Sequence, residues 1–311
     1  MKLDELNYND SFTGFYILKN VSNKLTNSGK PYLAAALADA SMTVECKVWD
    51  YPGPLGPADD GKVVKVQGVF QEFKGMPQIK VERIRLATEQ DGYDLGDLVP
   101  VAPMDLSKAY SDIETLVESM ADEDYKKVCR EFLIRHGRGF CRIPAAKSVH
   151  HGFVGGLLMH THDMMVMADF LSAHYTAVID RDLLLTGTLL HDFSKMEEFV
   201  TSQLGIVTEY SAKGQLLGHL VMGAREAAQV CEELGVPEEK SMLLQHMILS
   251  HHGQPEFGAA VVPQCAEAEL LCYIDNIDAK MEIYRENLDK TPVGGFSQRI
   301  FALEKRIYNH G

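Results

Sequence analysis

The stretch LLTGTLLHDFSKMEEF, residues 184–199, ends an apolar run on adjacent His191 and Asp192 and places Lys195 three residues further on. Similar groups recur downstream and upstream. His150 and His151 precede a glycine-rich helix start, and His160 and His162 follow it. His219 sits in KGQLLGHL, His246, His251 and His252 in LLQHMILSHHG, and Asp275 and Asp278 in LLCYIDNIDAK. One histidine on an apolar helix is ordinarily a satisfied core residue. Four helical segments that each present a histidine or aspartate among apolar residues ask for more, because buried ionisable groups are costly unless paired or bound to a metal. Convergence on divalent cations offsets those costs together. Imidazole nitrogen with carboxylate oxygen suits manganese, iron, zinc, cobalt or nickel, and no cysteine at these positions points to a structural zinc finger. Neighbouring helix residues point about 100° apart. His191 and Asp192 therefore cannot pack one core surface, but at a helix end they can grip one ion from two sides, or two ions with Asp192 between them.

The elements that must position these groups are helical. Segments 107–119, 122–137, 152–174, 181–192, 213–234, 238–251 and 263–289 carry the pattern. Asp180 is placed to cap the helix leading to His191, and Gly235-Val236-Pro237 to separate two others. The first 90 residues have a different period. Runs at 12–21, 31–39, 43–50, 62–70 and 78–86 are β-rich and separated by Gly, Asn, Ser and Pro turns. Val44, Cys46 and Val48 alternate with Glu45, Lys47 and Trp49. Five short strands in so short a span suggest an OB-fold barrel. The expected organisation is an all-β OB-fold domain over 1–90, a Gly/Pro-containing linker over 91–105, and an all-α domain over 106–311.

Composition narrows the class. The 311 residues are 46% hydrophobic and 24% charged, as in a folded water-soluble protein. No apolar run reaches the roughly 18–20 residues of a membrane span, and the polar, acidic MKLDELNYND is not expected to be a secretory signal. Six cysteines without a CxxC pair fit a reducing compartment, so a cytoplasmic location and no membrane partner are expected. The net charge of −14 is uneven: residues 1–90 hold 11 basic and 11 acidic groups, the remaining 221 hold 19 and 33. Acidic excess beside the histidines is compatible with bound divalent cations.

On the barrel, Lys47 and Trp49, the only tryptophan, share the face opposite the core, and Tyr32 is expected beside them. The loops 22–30 and 71–76 add Lys24, Lys30, Phe73 and Lys74. Such a face suits single-stranded nucleic acid, since a base stacked on an aromatic ring gains about 1–3 kcal/mol whatever its identity. NSGK lacks the spacing of a phosphate-binding P-loop. A net-neutral domain is expected to bind weakly and with strong salt dependence.

His160, His191-Asp192 and Asp275, in that order over helices, resemble the HD-domain metal-dependent phosphohydrolases, with Ser194 where the commoner HD-x-G-K has glycine. His219 and the His251-His252 pair resemble the two-metal members. NSGKPYL, ECKVWD, FKGMPQIKV, HHGFVGGLLMH, LLHDFSK, GQLLGHL, LQHMILSHHG and YIDNIDAK together resemble the YhaM-type 3′–5′ exoribonucleases, which join an N-terminal OB-fold to an HD domain. The resemblance spans about residues 20–280. It implies a first metal held by His160, His191, Asp192 and Asp275, and a second held by His219, His251 and His252 with Asp192 shared; sequence does not separate His251 from His252. It implies manganese first, with iron, cobalt, nickel, zinc or magnesium as alternatives, and release of 5′-mononucleotides from single-stranded RNA, with DNA a further candidate. Lys195 is expected to neutralise a phosphate oxygen, and His150 and His151 are candidates either for phosphate contact or for a hydrogen-bonding pair at the helix start. His162 and Asp278 are read as supporting or surface groups, and His246 as structural. Competing readings are an HD hydrolase of a small nucleotide, such as a dNTP or cyclic dinucleotide, and a non-catalytic nucleic-acid-binding replication factor. The aromatic, basic segment after 290 is a candidate for docking on the linker or on a second copy in a homo-oligomer.

Overall fold

A computed structural model describes residues 2–26, 28–146, 151–202 and 204–311. The chain divides into two compact units, Met1–Val101 with Ser202–Leu204, and Ala102–Thr201 with Gly205–Gly311.

The first unit is a closed five-stranded barrel in the order β1-β2-β3-β5-β4, an OB-fold arrangement. Its strands are β1 (Ser11–Leu25), β2 (Pro31–Ala38), β3 (Thr43–Trp49), β4 (Val63–Phe73) and β5 (Met76–Leu86). All pairings are antiparallel except β3 with β5. β1 is long enough to serve two neighbours. Its first half pairs with β4, its second with β2, and a register shift between Lys19 and Ser22 turns the corner. A second shift falls between Gln67 and Gly68, where a side chain would meet the Lys80 carbonyl at 2.7 Å. Leu18, Leu33, Leu37, Val64, Val66 and Ile79 fill the interior. The alternation on β3 follows the sequence reading: Val44, Cys46 and Val48 are buried, while Trp49 is exposed. The stretch expected as a plain linker contains a short helix, α1 (Leu95–Leu98), because the Asp94 carboxylate accepts the Gly96 N–H.

The second unit is helical: α2 (Leu106–Glu118), α3 (Glu123–Phe140), α4 (Gly156–His174), α5 (Arg181–Leu190), α6 (Lys195–Glu198), α7 (Ala212–Glu233), α8 (Glu238–Ser250) and α9 (Ala266–Leu288). α5 is its axis, since every residue from Asp182 to Leu190 is buried. A helix apolar on all sides belongs in a core, and α3, α4, α8 and α9 surround this one. The Asp180 carboxylate accepts the Asp182 and Leu183 N–H groups, as a cap should. α4 begins four residues later than its apolar pattern suggests, because His151 and Gly155 both take left-handed backbone. Two short antiparallel strands, β6 (Phe199–Thr201) and β7 (Val207–Tyr210), stand between α6 and α7. After α9 the chain folds back rather than extending: Asn309 donates to the Leu288 and Thr291 carbonyls, and Lys305 lies over the Tyr284 ring. No helix among the described residues is long and apolar enough to cross a membrane.

Candidate metal centre

α5 delivers the His-Asp pair by ending. His191 is its C-cap, with its ring Nδ1 donating to the Thr188 carbonyl at 2.7 Å. Asp192 follows in the turn, 2% exposed. α8 uses the same device, since His251 caps it and Nδ1 donates to the Ile248 carbonyl at 2.8 Å. His160 comes from the first turns of α4 and Asp275 from the middle of α9.

α7 delivers His219 differently. Gly218 has φ +70° and ψ 161°, which breaks the helix in two. A side chain at that φ would be strained. The break exposes the His219 backbone N–H, which donates to Glu198 Oε1 at 3.1 Å, while the ring Nδ1 meets the same carboxylate at 3.1 Å. Glu198, at the end of α6, thus fixes both the main chain and the ring of one histidine.

His160 has a carboxylate partner too: Nδ1 to Asp278 Oδ2 is 2.6 Å. In His160, His191, His219 and His251 alike, Nδ1 is occupied by an oxygen. Nε2 therefore faces the cavity in each, the arrangement in which the far nitrogen fixes the ring of a metal-binding histidine.

The inward atoms divide about Asp192. Its Oδ2 lies 3.3 Å from His191 Nε2 and 3.8 Å from His160 Nε2. Its Oδ1 lies 3.4 Å from His219 Nε2 and 3.7 Å from His251 Nε2. Asp275 Oδ1 joins the first group, 3.4 Å from His160 Nε2. Ligand-type atoms of His160, His191 and Asp275, of His191, Asp192 and His251, and of His219, His251 and His252 each fall within 4.8 Å of one another. Both members of the His251-His252 pair reach the site, so position does not separate them.

This donor set fits divalent cations. Asp192 Oδ1, His219 Nε2 and His252 Nδ1 are buried without a hydrogen bond to any described residue. Buried polar atoms are ordinarily satisfied, and a cation satisfies several inward-facing acceptors at once. The charges agree. Burial by itself would raise the Asp192 carboxyl, yet Lys195 and His191 hold it well below the usual carboxylate range. Asp275 is likewise lowered against its burial, chiefly by His160. Burial lowers His160, but Asp275 and Asp278 outweigh it and push the imidazole up to about 10. Burial and the neighbouring His191 hold His251 well below the ordinary histidine value. Lys195 Nζ sits 2.6 Å from Asp192 Oδ2, on the wall of the same cavity of about 460 Å³.

Among the other sequence candidates, one expectation changes. His151 is not a phosphate contact: it is 1% exposed and its Nε2 meets Asp278 Oδ2 at 2.7 Å, which makes it a prop for the carboxylate that holds His160. His150 lies outside the described residues. Asp278 is buried; burial raises its carboxyl, but the hydrogen-bonded His151 and His160 imidazoles outweigh it and bring it down to about 2. His162 pairs with Asp163 and Asp112 on the surface, and His246 Nε2 accepts the Gln264 N–H. Glu198 was hidden in the acidic run MEE.

On the barrel, Tyr32 and Trp49 are cross-strand partners with ring centroids 4.9 Å apart. Lys47 Nζ lies 5.6 Å from the Trp49 ring and 5.8 Å from that of Phe73, and Lys74 Nζ 5.5 Å from Phe73. Trp49 is 50% and Phe73 46% exposed. The five expected residues form one aromatic and cationic face.

A family model described as the HD domain matches residues 157–280. The second OB-fold domain of replication protein A from Methanococcus maripaludis is 16% identical with a TM-score of 0.22, covering 30% of this chain and 98% of that one. The OB domain of Ta0387 from Thermoplasma acidophilum is 12% identical with a TM-score of 0.25, covering 30% and 90%. The 3′-5′ exoribonuclease YhaM of Geobacillus sp. (strain WCH70) is 35% identical over 299 residues, 94% of this chain and 90% of that protein. With an OB-type barrel followed by an HD domain, and relatedness over nearly its whole length, the chain belongs to the YhaM 3′–5′ exoribonuclease family.

Proposed function

We propose that this protein is a metal-dependent 3′–5′ exonuclease that removes 5′-mononucleotides from single-stranded RNA, and from DNA as a second substrate, using two manganese ions. The observation that carries this reading is the convergence of the His160, His191, His219, His251 and His252 imidazoles with the Asp192 and Asp275 carboxylates in one cluster, most of which lines one cavity. His160, His191, Asp192 and Asp275 would hold one ion; His219, His251 and His252, with Asp192 shared, the other. Such ions supply Lewis acidity and a nucleophilic water near neutral pH.

The chain's own residues do the rest. Water attacks the phosphorus of the terminal nucleotide, the bond to the preceding 3′ oxygen breaks, and that oxygen leaves with a proton. Asp192 turns one oxygen to each histidine group, so it orients both halves of the site. Lys195 holds Asp192 and presents a cation to the non-bridging phosphate oxygens, where negative charge grows. Glu198 and Asp278 are positioning residues for His219 and His160, and His151 braces Asp278. On the barrel, Tyr32, Lys47, Trp49, Phe73 and Lys74 hold the strand by stacking and charge, which raises the effective concentration of its end at the metal centre. A small-nucleotide hydrolase would have no use for that face.

The test is incubation of the purified protein with 5′-end-labelled single-stranded RNA or DNA and either manganese or magnesium. The expected product is a ladder shortening from the 3′ end, with mononucleotides released and manganese more effective than magnesium. Internal fragments, or turnover of dNTPs in preference to strands, would overturn the reading.

A further inference from the structure

The metal-centre cavity has a wall that the metal-binding groups do not account for. Phe199 and Tyr210, register partners in the β6–β7 ribbon, both line it. Their rings meet edge to face with centroids 5.4 Å apart. Phe199 is buried, while Tyr210 remains 41% exposed. A buried ring bracing an exposed one at the rim of a polar cavity is a stacking platform rather than a core contact.

The ribbon is also bolted to the chemistry. The Ser211 N–H donates to the Glu198 carbonyl at 2.8 Å, and Ser211 Oγ donates to the Glu197 carbonyl at 2.7 Å. Tyr210 is thereby indexed to α6, which carries Lys195 and Glu198. The remaining lining suits a flat group: Ala145, Ala146 and Ala279 take up little room, and Asn276, next to Asp275 on α9, adds a neutral hydrogen-bonding side chain. A cavity of about 460 Å³ is within the range that holds a small ligand.

We propose that the β6–β7 ribbon forms a nucleoside subsite, in which Tyr210 stacks on the base of the nucleotide being removed and Phe199 braces it. The subsite rests on the exonuclease reading and adds to it the element that senses a base at the 3′ end. Stacking on an aromatic ring accepts any base, so the subsite favours a base-bearing end over a bare sugar-phosphate without selecting sequence.

The test compares wild type with Tyr210→Ala, Tyr210→Phe and Tyr210→Trp on two otherwise identical labelled oligoribonucleotides, one ending in a normal nucleotide and one in an abasic residue. Wild type is expected to show a lower KM for the base-bearing end by about 5- to 150-fold. Y210A should lose most of that ratio, and Y210F and Y210W should keep it. Bound manganese and melting temperature are measured alongside. A second arm needs no variant: a nucleoside 5′-monophosphate should inhibit wild type at least several-fold better than ribose 5-phosphate. A ratio unchanged in Y210A, or equal inhibition by the two compounds, overturns the subsite. If wild type shortens neither oligonucleotide, the exonuclease reading itself has failed.

Discussion

The metal centre and the barrel face are built by opposite rules. At the centre, ionisable groups are buried or half-buried and most have a specified partner, while Asp192 Oδ1 and His219 Nε2 lack a hydrogen bond to any described residue. On the barrel, Trp49 and Phe73 are about half exposed, and the lysines lie over rings rather than in buried ion pairs. Buried polar groups are worth much when satisfied and cost much when not. Exposed aromatic and cationic contacts are each modest and largely independent. One region should therefore fail abruptly and the other by degrees.

The sharpest break should come at Asp192, because it serves both histidine groups. Asp192→Asn should lower the rate of mononucleotide release at least about a thousandfold, several kcal/mol of lost stabilisation. It should also abolish any rise in melting temperature on adding manganese. A variant that keeps both would dissolve the contrast between the two regions. Next comes Glu198. Glu198→Gln should weaken manganese binding about 10- to 100-fold, measured by titration calorimetry, with Glu198→Asp recovering part of the loss. An unchanged affinity would mean that the kink at Gly218 holds His219 without the carboxylate.

The barrel changes should be smaller and should depend on strand length. Trp49→Ala should raise KM for a long oligonucleotide by about 5- to 150-fold, and the ratio of long-strand to dinucleotide efficiency should fall with it. Equal loss on both lengths would remove the barrel from strand holding. The mildest effect belongs to Lys47→Ala. It should reduce the slope of log affinity against log salt by about one, as a lost phosphate contact does, with little change in base preference.

The same contrast explains what could be read from the amino-acid order. Strand alternation around Val44 to Trp49, the cap at Asp180 and the break at Gly235-Val236-Pro237 are local signals, and the elements they define are present. His160, His191, Asp192 and Asp275 were legible because a charged group inside an apolar helix demands a reason. The supporting groups were not. Glu198 sits in an acidic run that looks solvated, and only the fold brings His219 to it across 21 residues. Asp278 falls one turn after Asp275 and read as either a supporting or a surface group; it is buried between two imidazoles supplied by distant segments, which only the fold brings to it. His151 looked accessible beside its glycine, and the left-handed backbone there turns it inward. The β6–β7 ribbon was invisible because strands of three and four residues give too little period to detect.

The interruption at Gly218 has a consequence for how such a centre can vary. Along an unbroken helix, a residue's bearing follows from counting back to the start at about 100° per step. Any added or lost residue near Ser211 would then swing the imidazole away from Asp192. A break just before position 219 resets that count, and the His219 amide takes its bearing from Glu198 instead. The first turn of α7 can therefore change direction while the His219 ring stays aimed at the Asp192 cluster, so the ribbon wall of the cavity is free to diverge from the histidine–aspartate wall.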